Sequence, residues 1–455
     1  MYKESYYNFK CNFEDGNMML YNSKTGAVAV IEKEHVKEIS DVLETQIDSK
    51  FTGVLYTQGF LTDDSEDELA YIRRRYDNVH SSQKTIKVVM MPAEFCNLAC
   101  PYCFIYNYRN KIMRQEVFDN VVSYIEKKLK DADEKRTVLI SWYGGEPLLM
   151  KNQIITFMDL LRGRLHSRAE LKGSIITNGY YLDFDVFSKL YENKVTTFQI
   201  TFDGDQEFHD TTRMLKDGRG GTFDVLINNI KTIKQQASED MKFDFLIRIN
   251  FMKNTYTSVY GLIDKLNSII GGDRRFFIYV RPVYNYHTCR PANDEITGDV
   301  FSIREGLKVQ TELSLYIQKI SESYNPVMSL QNYLPMPATR WCSEDGEASI
   351  IVGYDGSIYF CDTMVGDEKF CVGHLEADGT ISITEEDNRW RTSVFEMDNI
   401  GKCLKCKCLP TCMGGCKRER IYLKNPTPCL YNESDILEFM RTFYENEYCN
   451  TTCQV

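Results

Sequence analysis

The chain has 455 residues, 43% apolar and 26% charged, which is enough apolar material for a large core and excludes a disordered chain or a collagen- or coiled-coil-like fibre. Its net charge of −11 is spread along the sequence and its tightest basic run is Arg73-Arg74-Arg75, so no nucleic-acid partner is expected. No apolar stretch approaches the ~18 residues of a membrane span and Met1–Ser5 does not open a signal peptide, so a cytoplasmic chain without a membrane partner is expected, in about two to four domains.

Residues 1–80 read as a small α+β unit. Strands are expected at Tyr7–Phe13 and Met18–Tyr21 around the turn Asp15-Gly16-Asn17, and at Ala27–Ile31 after the turn Asn22–Gly26. Val36, Ile39, Val42 and Leu43 recur at helical spacing, as do Leu69 and Ile72 in a shorter helix. The polar stretch Asp77–Thr85 reads as a linker. Beyond it, strand-like runs occur at Lys87–Met91, Val138–Trp142, Gly173–Ile176, Thr197–Phe202, Phe245–Phe251 and Phe276–Val280. Helical patterns lie between them, such as Val117, Val121, Val122, Ile125 and Leu129. The alternation predicts an α/β fold of parallel βαβ units over residues 87–290, a partial (β/α)6 TIM barrel. In such a barrel the chemistry sits at the C-terminal ends of the strands. Residues 291–341 carry a helical face (Leu307, Leu313, Tyr316, Ile317, Ile320) read as a bridge. Residues 342–430 are rich in glycine and proline with short strand-like pieces at Ala348–Val352 and Ser357–Phe360, so they hold little core of their own and need metal staples. Residues 431–455 carry a helix, Ile436–Tyr444, and a tail.

Sixteen cysteines in a reducing compartment point to metal ligation or redox chemistry rather than disulfides. They are unevenly placed. Cys96-Asn-Leu-Ala-Cys100-Pro-Tyr-Cys103 is a CxxxCxxC motif directly after the first barrel strand. Three thiolates from one loop hold three irons of a four-iron cluster and leave the fourth open to a chelating ligand. A zinc knuckle needs a fourth nitrogen or sulfur ligand, and none lies nearby. On this motif at this place the sequence resembles the radical S-adenosylmethionine (SAM) superfamily.

Downstream motifs agree with the resemblance. Gly144-Gly145-Glu146-Pro147 follows the second strand, as the family's motif for the SAM amino group does, and Tyr102 occupies the position near the adenine. Thr177 and Asn178 end the third strand. Thr201 and Asp203, followed by Arg213, resemble the region near the SAM ribose, and Arg248 and Asn250 on the fifth strand are further SAM-binding candidates. For these polar residues strand-end capping is the competing reading. The resemblance implies that the cofactor carries the chemistry, by generating a 5′-deoxyadenosyl radical that takes hydrogen from an unactivated carbon.

The second array runs Cys342, Gly356, Cys361, Cys403-x2-Cys406-x5-Cys412-x3-Cys416 and Cys429. Its order and spacing resemble the SPASM extension of radical SAM enzymes that act on peptides. The resemblance implies two further four-iron clusters, giving three 4Fe-4S clusters in all. Cys403, Cys406, Cys412 and Cys429 would ligate the distal auxiliary cluster, and Cys342, Cys361 and Cys416 the proximal one. The eighth cysteine that some relatives carry just before the first is missing from 332–341. The proximal cluster would then keep an open iron for a substrate thiolate, unless Cys408 or Cys371 fills it. Cys11 and Cys289 read as small buried hydrophobes, and Cys449 and Cys453 as tail thiols.

From Lys87 to Cys429 the resemblance implies a radical SAM/SPASM peptide maturase. The expected reaction is a thioether crosslink between a cysteine sulfur and an acceptor carbon of a ribosomal precursor peptide. Residues 1–80 would be a winged-helix-like leader-binding domain or a generic cap, and flavodoxin or ferredoxin the reductant. The enzyme alternatives are anaerobic sulfatase (formylglycine) maturation and a carbon–carbon crosslink. A non-catalytic iron–sulfur carrier or peptide-binding regulator would not need SAM motifs on a barrel.

Overall fold

The alternating periods after residue 84 fold as parallel units. The computed structural model describes residues 1–103, 110–130, 134–165, 168–284, 299–321, 333–384 and 390–449. The chain divides into two compact units: residues 1–81, 325–345 and 392–455 form the first, and residues 82–324 and 346–391 the second.

In the first unit, strands β1 (Tyr2–Glu4), β2 (Asn8–Asn12), β3 (Met18–Asn22) and β4 (Val28–Ile31) precede helices α1 (Lys33–Thr45) and α2 (Thr52–Gln58), strand β5 (Leu61–Asp63) and helix α3 (Glu68–His80). Strands β2, β3 and β4 form an antiparallel meander, and β1 pairs with β5. The helical spacing of Ile39, Val42 and Leu43 places them together against Met18, Leu20, Ile31 and Phe60. The α2 helix and the β1–β5 pair were not anticipated. Helix α3 starts where Asp67 accepts the Ala70 N–H and runs to His80, so the expected linker shrinks to the few residues before Thr85. Tyr76 and His80, polar-looking in sequence, are buried.

The second unit holds β6 (Thr85–Met90), α4 (Gln115–Lys130), β7 (Arg136–Trp142), α5 (Lys151–Leu165), β8 (Ala169–Ile176), α6 (Phe184–Glu192), β9 (Val195–Asp203), α7 (Gln206–Thr212), α8 (Phe223–Gln236), β10 (Asp244–Phe251), α9 (Val259–Ile270) and β11 (Phe276–Pro282). The six strands are parallel in the order β11-β10-β9-β8-β7-β6, all six expected strands each starting or ending within a few residues of the expectation. This is the partial (β/α)6 barrel. Helix α10 (Ile303–Ile320), started by a Ser302–Glu305 capping box, packs on α9 through Tyr260–Glu312 and Tyr316–Asp264 hydrogen bonds. It is the sixth helix of the barrel rather than a bridge.

The expected 342–430 domain is divided between the units. Strands β12 (Ser349–Val352), β13 (Ser357–Tyr359), β14 (Gly373–Leu375) and β15 (Ile381–Ile383) extend the barrel sheet, β12 lying parallel to β6 and the rest antiparallel in turn. The part after residue 391 joins the first unit, with short helices α11 (Leu409–Cys412) and α12 (Lys417–Tyr422) and the longer α13 (Glu433–Phe443). Val394, Phe395, Ile400, Leu409 and Met413 there share a core with Tyr7, Ile72 and Tyr76. No described helix is long and apolar enough to cross a membrane.

Candidate active site

Parallel strands deliver every loop that follows them to one edge of the sheet. The Cys96–Cys103 loop follows β6 and is held from two sides. Ala99 N–H donates to Met214 O (3.1 Å) and Lys216 N–H to Asn97 O (2.9 Å), tying it to the segment after α7. Cys96, Cys100 and Cys103 lie close enough for their charges to interact, and burial pushes the Cys96 thiol up to about 11 and the Cys100 thiol up to about 12. Thiolates packed this way need a compensating cationic group. Among the described residues no three His, Cys, Asp or Glu side chains converge where a single ion would bind. The ligands of a four-iron cluster each bind a different iron and need not converge, so the arrangement fits that group.

Gly144 and Gly145 follow β7. A Cβ on Gly145 would stand 2.2 Å from Phe95 O, so only glycine lets this turn lie against the cysteine loop. Gly145 N–H donates to Ala93 O (3.1 Å) and Glu146 N–H to Phe95 O (3.0 Å). Pro147 opens the one-turn helix that Glu146 caps through Leu148 N–H (2.8 Å). The Glu146 carboxylate, fully buried, also accepts from Thr177 Oγ1 (2.6 Å) and Asn178 N–H (2.7 Å). All three donors are neutral, and burial raises this carboxyl from its ordinary value. A ligand ammonium would supply the missing charge. Asn178 in turn donates to Asn97 Oδ1 (2.7 Å) and Cys96 Sγ (3.5 Å), joining this corner to the cysteine loop.

At the ends of β9 and β10 the register sets Asp203 beside Asn250 and Thr201 beside Arg248. Asp203 accepts from Tyr102 OH (2.5 Å), Thr212 Oγ1 (2.9 Å) and Asn250 Nδ2 (3.2 Å), and pairs with Arg213 at 3.7 Å. Arg213 Nη1 donates to Tyr102 OH (2.9 Å), and Arg248 Nε to Asn250 Oδ1 (2.8 Å). Burial and then Asp203 hold the Tyr102 phenol well above its usual range. At this site the buried Arg213 Nε and Asn97 Nδ2 have no partner among the described residues. His209 and Asp210, close by on α7, have fold roles: Asp210 accepts the Thr222 and Phe223 N–H groups that start α8, and His209 bonds Thr222 Oγ1 (3.0 Å). Asn97 and Thr212 were missed, because a lone Asn in a loop or a lone Thr at a helix end carries no spacing signal.

In the first unit, Cys412 interacts electrostatically with Cys406, Cys403 and Cys429, so the four distal cysteines are gathered. Cys408 is beside them: its thiol hydrogen bond brings Cys406 down to about 7 and raises Cys408 itself. Gly415, at φ +77°, passes so close to Pro428 O that a Cβ would sit 2.4 Å away, which folds the Cys416 turn onto the Cys429 segment. Arg420, missed in the sequence, donates to Cys403 Sγ at 2.8 Å. Of the proximal set, Cys342 and Cys416 belong to the first unit and Cys361 to the second, and neither unit by itself gathers the three. Cys371 donates to Gly373 O (3.1 Å), and Cys11 is buried in β2. Cys289, Cys453 and the Cys449 side chain lie outside the described residues. A groove of ≈ 590 Å³ beside the edge strand β2 is lined by Glu4, Tyr6, Phe9, Lys10, Lys407 and Leu437, among others.

Residues 90–255 match the family model of the Radical SAM superfamily. That stretch is a Radical SAM domain, and the chain is an enzyme with a sulfatase-maturating relative. A cysteine-type anaerobic sulfatase-maturating enzyme of Clostridium novyi (strain NT) is 24% identical over 394 residues, 81% of this chain and 97% of that protein. Two solved structures share the fold. Native anSMEcpe with bound AdoMet has a TM-score of 0.57 at 20% identity, covering 81% of this chain and 98% of its own. Streptococcus suis SuiB bound to precursor peptide SuiA has a TM-score of 0.51 at 15% identity, covering 96% of this chain and all (100%) of its own.

Proposed function

We propose that this enzyme matures a ribosomally made precursor peptide by forming thioether crosslinks from a cysteine sulfur to an acceptor carbon. The SAM-dependent part of the reading is carried by the buried Glu146 carboxylate, bonded only by neutral donors and linked through Asn178 to Cys96; the thioether part rests on the cysteine missing from 332–341, which would leave an open iron for a substrate thiolate. Cys96, Cys100 and Cys103 would hold the SAM-binding cluster, and Glu146 the amino group of SAM. Gly144, Gly145, Pro147, Thr177 and Asn178 shape that corner. Tyr102, Thr201, Asp203, Arg213, Arg248 and Asn250 offer donors and acceptors suited to the nucleoside. When bound, SAM and the reduced cluster supply hydrogen-atom abstraction. Cys403, Cys406, Cys412 and Cys429 would hold the distal auxiliary cluster and Cys342, Cys361 and Cys416 the proximal one.

A peptide substrate is supported by SuiB, whose structure contains the precursor peptide SuiA and whose likeness spans 96% of this chain. The first unit, with its groove beside the edge strand β2, would receive the leader, an edge strand being the kind of element that takes an extended peptide by main-chain hydrogen bonds. The reductant would be an acidic carrier of flavodoxin or ferredoxin type. Between residues 401 and 430, Lys402, Lys405 and Lys424 are exposed and the one acid is Glu419, in a chain of net charge −11. Sulfatase maturation is the second reading, favoured by a relative matched over 97% of its length.

The test is anaerobic turnover with a cysteine-containing precursor, followed by mass spectrometry and alkylation. A thioether removes two hydrogens per crosslink and makes the donor cysteine resist alkylation. Loss of two hydrogens with every cysteine still alkylated would point to a carbon–carbon bond. An aldehyde in a sulfatase peptide would select the second reading.

A further inference from the structure

Arg420 is 2% exposed, and its donors all point at loops that carry distal cysteines. Nε donates to Gly414 O (2.8 Å), between Cys412 and Cys416. Nη1 donates to Asn399 O (3.0 Å), ahead of Cys403, and to Pro426 O (2.9 Å), ahead of Cys429. Nη2 donates to Cys403 Sγ (2.8 Å) and shares Gly414 O. No carboxylate pairs with this guanidinium among the described residues. A buried cation without an anion is costly by several kcal/mol, and neutral donors could have satisfied the carbonyls. The one partner able to carry negative charge is Cys403, and the guanidinium also acts on Cys429.

We infer that Arg420 is a positioning residue of the distal auxiliary cluster: it clamps the loops bearing Cys403, Cys412 and Cys429 and raises that cluster's reduction potential by donating to Cys403 Sγ. The inference rests on the distal-cluster reading above. Its physical basis is that added electrons are stabilised by nearby positive charge and by hydrogen bonds to the ligand sulfurs. The planar fork reaches three loops and a sulfur at once, which a lysine ammonium cannot do.

The test uses the full chain with Cys96, Cys100 and Cys103 replaced by alanine, so that only auxiliary clusters remain, reconstituted anaerobically. Iron and sulfide are counted, and the clusters are titrated by EPR-monitored potentiometry. The parent should hold about eight irons, two four-iron clusters. Arg420→Lys should keep that iron but shift one cluster to a more negative potential. Arg420→Gln, which removes the charge and most of the clamp, should lose about four irons, the content of the distal cluster. Lys424→Gln, an exposed charge in the same loop, should leave the potential unchanged. Parent-like iron and potential in Arg420→Lys would overturn the inference, and that holds even if Arg420→Gln fails to fold. A parent without iron would overturn the auxiliary-cluster reading itself and the inference with it.

Discussion

Glu146→Gln tests whether the buried carboxylate is there to meet a cation. Oε1 accepts from Thr177 Oγ1 at 2.6 Å and Leu148 N–H at 2.8 Å, and Oε2 from Asn178 N–H at 2.7 Å. An amide keeps one acceptor oxygen, so whichever way it is turned a buried N–H faces its NH2 group, at a cost of ~1–3 kcal/mol. Losing the charge also removes a charged hydrogen bond to a ligand ammonium, ~1.5–3 kcal/mol, or about 10- to 150-fold in affinity. Equilibrium dialysis of SAM against reconstituted protein, with urea unfolding as the fold control, measures both. The pH dependence separates them. Burial raises the folded carboxyl above 4.5, so its contribution to the stability of the ligand-free protein is full below the unfolded value and is lost as pH rises through the folded one. SAM binding runs oppositely, strengthening as the carboxyl ionises, and both dependences vanish in Glu146→Gln. Wild-type affinity and an unchanged pH profile in the variant would refute the ammonium assignment.

Lys24 and Glu68 form a 2.6 Å pair with side chains 7% and 6% exposed, so Lys24→Met should cost ~3–5 kcal/mol in urea unfolding by stranding the carboxylate; a loss under ~1 kcal/mol would mean that Ser5 and the Tyr6 N–H suffice for it. Tyr6→Ala with Lys10→Glu should weaken binding of the full-length precursor while sparing uncoupled SAM cleavage, and unchanged affinity would remove the β2 groove from the leader path. Lys402 and Lys405 are exposed without an acidic partner among the described residues, so Lys402→Glu with Lys405→Glu should slow reduction by an acidic flavodoxin, as raised salt should in the wild type; a salt-independent rate in both would place the docking surface elsewhere.

The parts of the fold that were legible in sequence are those set by local period. Val138, Ile140 and Trp142 alternate inward along β7, and Val117, Val121, Ile125 and Leu129 fall on one face of α4. The CxxxCxxC and Gly-Gly-Glu-Pro segments were legible because spacing carries their chemistry, although Gly145 proves to make room for the cysteine loop's own backbone. What was not legible depends on long-range pairing. Nothing in Ser349–Val352 says that it will lie parallel to Lys87–Met90, yet that ladder assigns residues 346–391 to the barrel unit. Tyr76 and His80 looked like a polar exit from a short helix because their polar atoms are answered from far along the chain: Tyr76 OH donates to Asp345 Oδ2 at 2.9 Å, and His80 pairs with Asp345 at 3.5 Å. Arg420, inside Lys-Arg-Glu-Arg, has the look of a solvated basic face and is buried because nearby loops fold over it, its donors going to Asn399, Cys403, Gly414 and Pro426. The shared core changes how the leader reading must be tested. Deleting residues 1–80 would strip Tyr7, Ile72 and Tyr76 from Val394, Phe395, Leu409 and Met413 and disturb the distal cysteines with them. Lost precursor binding in that truncation would say nothing about a leader site, so only point substitutions on the groove can decide it.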